Sequence, residues 1–404
     1  MPPSVYAIAT FDTKGHELAF VANAIRRSGA EVTTVDVGTG EAPVTSADVA
    51  RESVAACHPH GAAFVLEKSD RGEAVGEMSQ ALVAFLLKEH NDGRVAGVIG
   101  LGGTGGTALI APALRALPIG LPKLLVSTVA SGNTAQYVGC CDVTLMPSVV
   151  DVAGLNRVSR QVLSNAAHAI AGMVAHRAEG SAERPAVGVT MFGVTTPCVT
   201  AVRATLEAEG NDVLVFHATG TGGQAMEKLV ESGLIGGVLD VTTTEVADEV
   251  VGGVFRAGPA RFDIILDKHV PYVLSVGALD MVNFGSLDTV PPEFRKRNLH
   301  VHNAQVTLMR TTPDESRQFA RWIAAKLNRS SSPLILLIPE GGVSALDAPN
   351  MPFWDPAADA ALFDELESAI QRSSARQIRR LPLHINDPAF AKAVVTAYHE
   401  VSVR

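Results

Sequence analysis

At 404 residues the chain exceeds the roughly 250–300 residues at which a single hydrophobic core stops growing, so two domains are expected. It is 47% hydrophobic and 19% charged, with 36 Gly, a composition suited to buried parallel sheets. The net charge of −9 excludes the basic face of a nucleic-acid groove. The four cysteines, Cys57, Cys140, Cys141 and Cys198, have no C-x-x-C spacing and make no disulfide framework.

The first half alternates strands and helices. VYAIATF (5–11) is a buried strand, followed by Asp12-Thr13-Lys14-Gly15 and a helix over 16–28 whose Leu18, Val21, Ala22 and Ile25 share a face. EVTTVDV (31–37) is a β-branched strand leading into Gly38-Thr39-Gly40. A helix runs from about 72 to 90, just after Ser69-Asp70-Arg71. AGVIGLGG (96–103) is a third strand, feeding a helix that stops at Leu117-Pro118. KLLVSTV (123–129) and DVTLMPS (142–148) are further strands, and 156–178 is a helix with small residues. EGSAERP (179–185) is the polar linker.

The second half restarts with PAVGVTMFG (185–193), a helix over 198–209, the strand DVLVFHAT (212–219), a helix over 224–232 and the strand GGVLDVTT (236–243). Segments 271–283 and 299–310 read as strands, 314–328 as a helix, 333–342 as a buried strand and 388–400 as a final helix. Alternating βαβ units predict an α/β protein of two Rossmann-like, doubly wound parallel-sheet domains, 1–180 and 185–404. Both halves contain a strand-to-helix Gly-Thr-Gly-Gly turn, 103–106 and 220–223, so a duplicated fold is one account of the rhythm.

The stretch Gly100-Leu-Gly-Gly-Thr-Gly-Gly-Thr107 holds five glycines in eight residues where a strand meets a helix. Bare backbone lets a ligand approach closely. Free N–H groups at a helix start favour phosphate. The spacing is neither a P-loop nor the Rossmann NAD fingerprint. Lys14 and Arg71 are candidate phosphate partners, and Asp12 a candidate for a hydroxyl or a magnesium ion. In the second half Glu245, Asp280, His302 and Glu340 fall near predicted strand ends and are the candidates for acid–base catalysis. His217, His300, Asn283 and Asn303 are further polar residues there. His300-x-His302 is either a metal pair or one surface face, and no metal site is assigned.

The runs Ala9-Thr10-Phe11-Asp12-Thr13-Lys14, Val35-Asp36-Val37, Gly97 to Thr107, Ser127-Thr128-Val129-Ala130-Ser131-Gly132 and Pro147-Ser148-Val149-Val150-Asp151 occur in this order. Over essentially its whole length the chain resembles the uncharacterised Tm-1-like ATP-binding domain family. The resemblance implies ATP held by Asp12, Thr13, Lys14, Thr39, Arg71, Gly103, Thr104, Gly105 and Gly106. Thr104 stands where the plant motif has Ser and keeps the hydroxyl. Magnesium is the natural companion of ATP. The resemblance also implies a homodimer, and a phosphoenolpyruvate-utilising-like barrel protein as a partner, since some relatives carry such a domain.

Three functions are weighed. The first is an enzyme of small-molecule metabolism with a second substrate in the cleft between the halves. The second is a nucleotide-dependent module that docks a partner protein without chemistry. The third, an NAD-linked oxidoreductase, lacks its fingerprint. No apolar run reaches the ~18–20 residues of a bilayer span. The start MPPSVYAIATFD has no basic region before a long apolar stretch. A cytoplasmic location is therefore expected, with no membrane or nucleic-acid partner.

Overall fold

The computed structural model describes residues 2–177 and 186–402, so the 179–185 linker lies outside the described residues. The chain divides into two compact units, Met1–Ser181 and Ala182–Arg404. Each has an open parallel sheet with helices on both faces.

The N-terminal sheet contains β1 (Ser4–Ala9), β2 (Val32–Asp36), β3 (Val95–Gly102), β4 (Lys123–Ser127) and β5 (Thr144–Pro147), in the spatial order β2-β1-β3-β4-β5. Alternate residues of each strand serve opposite faces. Tyr6 and Ile8 join Met78, Leu82, Leu109 and Ile110 of the helices Arg71–Asn91 and Thr104–Ala116. Val5, Ala7 and Ala9 pack with Leu18, Val21, Leu163 and Ile170 of the helices Phe11–Arg27 and Arg157–Ala175. Strands buried on both faces explain the continuous apolar runs. The order reverses between β1 and β3. Ligands of doubly wound sheets bind at such a reversal, beyond the carboxyl ends of the strands.

The C-terminal sheet contains β6 (Ala186–Met191), β7 (Val213–His217), β8 (Ile235–Thr242) and β9 (Tyr272–Gly277). Next in the chain come β10 (Met281–Phe284), β11 (Leu299–Asn303) and β12 (Val306–Arg310), which form a separate antiparallel sheet. β13 (Leu334–Pro339) and β14 (Arg376–Leu381) complete the parallel sheet in the order β14-β13-β9-β8-β6-β7. In strand order within each unit, both sheets begin 2-1-3-4-5.

That shared order supports duplication, but the two Gly-Thr-Gly-Gly turns are not equivalent. Residues 103–106 follow the third strand of their unit, and 220–223 follow the second of theirs. The element readings need three further corrections. Residues 12–15 belong to the helix Phe11–Arg27 rather than to a loop before it. The segment 271–283 is two strands, β9 and β10, because Ala278 turns the chain with φ 58° and its N–H bonds to Val343 O. The segment 299–310 is a hairpin closed by Asn303, whose side chain accepts from the Gln305 N–H. Among the described residues no helix is long and apolar enough to cross a membrane.

Candidate functional site

Beyond the carboxyl ends of β1, β2 and β3 lies a cavity of about 740 Å³. Asp12, Thr13, Lys14, Thr39, Arg71, Gly103, Thr104, Gly105 and Gly106 all line it. The fold thus gathers residues from four separate stretches of chain at its own strand-order reversal.

Two helices begin here without a side-chain cap: Phe11–Arg27 after Thr10, and Thr104–Ala116 after Gly103. The first N–H groups of a helix have no partner within it, and the helix dipole adds positive potential. The glycines divide into two kinds. A Cβ on Gly102 would meet Thr107 N at 2.5 Å, so the strand-to-helix turn requires glycine there. A Cβ on Gly105 would meet nothing within 4 Å. Glycine in a helix costs up to about 1 kcal/mol relative to alanine. No protein atom demands it at 105, and the space it leaves open belongs to the cavity.

Lys14 and Arg71 both line the cavity, and among the described residues neither side chain makes a hydrogen bond or ion pair. Arg71 opens the helix Arg71–Asn91, which Asp70 caps by accepting from Glu73 N at 2.8 Å. Lys68, Ser69, Glu41 and Thr10 also line the cavity and were not singled out from sequence. Lys68 pairs with Glu73 at 3.2 Å and lies over the Phe64 ring. The apolar part of the wall is Ala74, Val75 and Leu109. Asp36 is buried and accepts from Phe11 N at 2.9 Å and Gly38 N at 2.7 Å, tying the start of the first helix to the loop after β2. Burial pushes its carboxyl above the ordinary range, and the two N–H donors pull against that.

The second Gly-Thr-Gly-Gly turn already holds an anion from its own chain. Gly220 N and Gly223 N donate to Glu245 Oε1 at 2.7 and 3.1 Å. Arg261 Nε donates to Glu245 Oε2 at 2.8 Å, while its other nitrogens reach Glu227 and Asp240, each at 2.8 Å. Tyr272 and Thr190 donate to the same Asp240. A Cβ on Gly223 would collide with the Glu245 carboxylate, so glycine here makes room for a side chain. Burial pushes the Glu245 carboxyl up, opposed by Arg261. Glu245 is built into a buried network.

The other candidates lie in separate surroundings. Glu340 follows β13 and accepts from Arg380 Nε at 2.7 Å. His302 is exposed on β11, and among the described residues no third ligand completes a metal group with His300. His217 ends β7 and stacks on Phe192. Asp280 is buried and accepts from Ser344 Oγ at 2.8 Å. Arg310, close to it, donates to Asp359 at 2.7 Å and stands 3.8 Å from Asp347.

Burial pushes the Asp280 carboxyl up to about 7, Asp347 adds to the rise and Arg310 opposes it. Burial and Asp347 also raise Asp359. A carboxyl raised in the folded state binds its proton more tightly there than in the unfolded chain. Its stabilising effect is complete below the ordinary carboxyl value near pH 4 and is lost as pH rises to the folded value. The C-terminal unit should therefore melt higher at pH 5 than at pH 8 through these groups. Asp359→Asn should flatten that slope. Thermal melts followed by tryptophan fluorescence check this, since Trp322 and Trp354 both lie in this unit.

The sequence has counterparts among known proteins. Residues 3–179 match the model of the uncharacterised protein family UPF0261 N-terminal domain, and 184–402 match that of its C-terminal domain. The chain belongs to the UPF0261 family. A UPF0261 protein of Rhizobium meliloti is 55% identical over 398 residues, covering 98% of this chain and 99% of the relative. Another UPF0261 protein, from Clostridium tetani, is 46% identical over 396 residues and 98% of both chains. The ToMV resistance protein Tm-1 of Solanum lycopersicum is 51% identical over 421 residues, covering 99% of this chain but 56% of the tomato protein. The UPF0261 match thus spans both units, and the resemblance to Tm-1 holds along the whole chain.

Proposed function

We propose that the N-terminal unit of this UPF0261 protein binds ATP or a closely related nucleotide, its phosphates on the Thr104–Gly106 helix start. One observation carries this reading. Nine residues from four stretches of chain line one cavity at the strand-order reversal beside an uncapped helix, and two of the nine, Lys14 and Arg71, are cations whose side chains have no partner among the described residues. Lys14 and Arg71 neutralise phosphate charge, and Arg71 offers a forked pair of donors. Asp12 is placed to hold a magnesium ion through one carboxylate, as magnesium–phosphate sites commonly do. The Ala74, Val75 and Leu109 wall suits a flat base.

The chemistry that follows binding is a separate question, and a specific observation favours the docking reading over turnover. Glu245, Asp280 and Glu340 are engaged within the C-terminal unit, and none of the four acid–base candidates lines the cavity. A module that changes its affinity for a partner protein when nucleotide binds needs no such groups.

Calorimetric titration with magnesium-ATP, adenosine and NAD tests the ligand. Magnesium-ATP should bind and adenosine should bind at least about tenfold more weakly, because charge-assisted phosphate contacts carry the affinity. Equal affinity for adenosine, or no heat with ATP, removes the reading. Phosphate release over hours in the same samples separates turnover from binding alone.

A further inference from the structure

The Gly38–Ala50 segment contributes Thr39, Gly40 and Glu41 to the cavity wall, and its ends are fastened to β2. Gly38 N donates to Asp36 at 2.7 Å. Asp48 Oδ2 accepts from Thr34 N at 2.8 Å and from Thr34 Oγ1 at 2.7 Å, and Val49 pairs with Val35. Between these anchors Thr39, Gly40 and Glu41 line the cavity, and Gly40 and Glu41 are exposed. Arg51 holds this stretch. Its Nη1 donates to Gly40 O at 3.2 Å and Glu41 O at 2.8 Å, and its Nε lies 3.4 Å from Glu52. Arg51 does not itself line the cavity, and its side chain is 19% exposed.

A trans peptide points its N–H opposite to its C=O. Carbonyls drawn to Arg51 therefore turn the Glu41 and Ala42 N–H groups away from Arg51. We propose that Arg51 is a positioning residue for the ligand: by holding the Gly40 and Glu41 carbonyls, it presents the Glu41 N–H, beside the Thr39 hydroxyl, as a preformed donor wall for an acceptor-rich polyphosphate. The inference rests on the nucleotide reading and adds a second set of donors to the Gly103–Gly106 turn. Preforming the wall avoids the entropy of ordering an exposed loop when ligand arrives. Asp36 complements it, since one carboxylate fixes both Gly38 and the first helix.

Calorimetric titration of the full chain with magnesium-ATP tests this with Arg51→Ala, Thr39→Val and the double variant, alongside thermal melts. Arg51→Ala should weaken binding about tenfold, the loss of about one well-placed hydrogen bond, with the melting temperature unchanged. The double variant should bind no more weakly than the weaker single variant, because both changes remove the same wall. Arg51→Ala binding like the unaltered chain, or losses that multiply in the double variant, overturns the role. Failure of the unaltered chain to bind ATP removes the nucleotide reading and this role together. ATP bound equally by the unaltered chain and Arg51→Ala removes only this role.

Discussion

Arg261→Ala should destabilise the C-terminal unit by about 3–5 kcal/mol at neutral pH, the usual cost of removing one partner from a buried ion network. The guanidinium serves Glu227, Asp240 and Glu245, and all four side chains are almost entirely out of water. Without it three carboxyl groups face one another with only neutral donors to stabilise them. A domain's total stability is about 5–15 kcal/mol, so this loss is a large fraction of it. Lowering the pH should relieve part of the damage, because the remaining carboxyls can then take up protons. Trp322 and Trp354 report on this unit alone. A fluorescence melt within a degree or two of the parent would show that the network does not support the fold. Glu245→Ala should behave similarly, with loss of folded protein in place of a selective loss of turnover.

Gly105→Val should weaken magnesium-ATP binding by about a hundredfold or more while the protein stays folded. The position lies in a helix without a positive φ, and apart from the adjoining helix backbone no protein atom lies within 4 Å of where a Cβ would stand. A Cβ there meets no neighbouring element, and the two further methyl groups of valine would extend into the space a phosphate needs. Gly105→Ala makes the sharper contrast. It should raise stability by up to about 1 kcal/mol through helix propensity and still weaken ligand. A stability gain coupled to a binding loss is expected of a glycine kept for its ligand. Calorimetry and melts on the same samples measure both. Unimpaired binding by Gly105→Val would place the phosphates elsewhere.

Asp12, Lys14 and Gly103–Gly106 were legible because they follow a local grammar of apolar strand and helix start, whereas Thr39 and Arg71 rested chiefly on the family resemblance. The fold then brings Asp12, Thr39, Arg71 and Gly103 to one place, as the rule for strand-order reversals anticipates. Lys68, Glu41 and Arg51 were not legible. They lie in the irregular 38–70 connection, whose helices Arg51–Ala55 and Gly61–Leu66 are too short for periodicity to reveal. The C-terminal unit shows a different limit. Residues 220–223 repeat the letters of 103–106, yet their glycines accommodate Glu245, a residue more than twenty positions downstream. Local sequence reports that a turn can hold an anion, and only tertiary structure reports that the chain supplies one. The helix Pro356–Ala369 and the edge strand β14 were also missed. β14 reads RQIRRL, half-buried and rich in arginine, without the apolar run that marks a central strand.

Of the two look-alike glycine turns, 103–106 faces the cavity and 220–223 is filled from within by Glu245. Glycine-selective amide NMR during a magnesium-ATP titration addresses both turns in one sample. The amides of Gly103, Gly105 and Gly106 should shift strongly, while those of Gly220, Gly222 and Gly223 stay in place. Shifts at 220–223, or none at 103–106 while ATP binds, would contradict that assignment of the two turns.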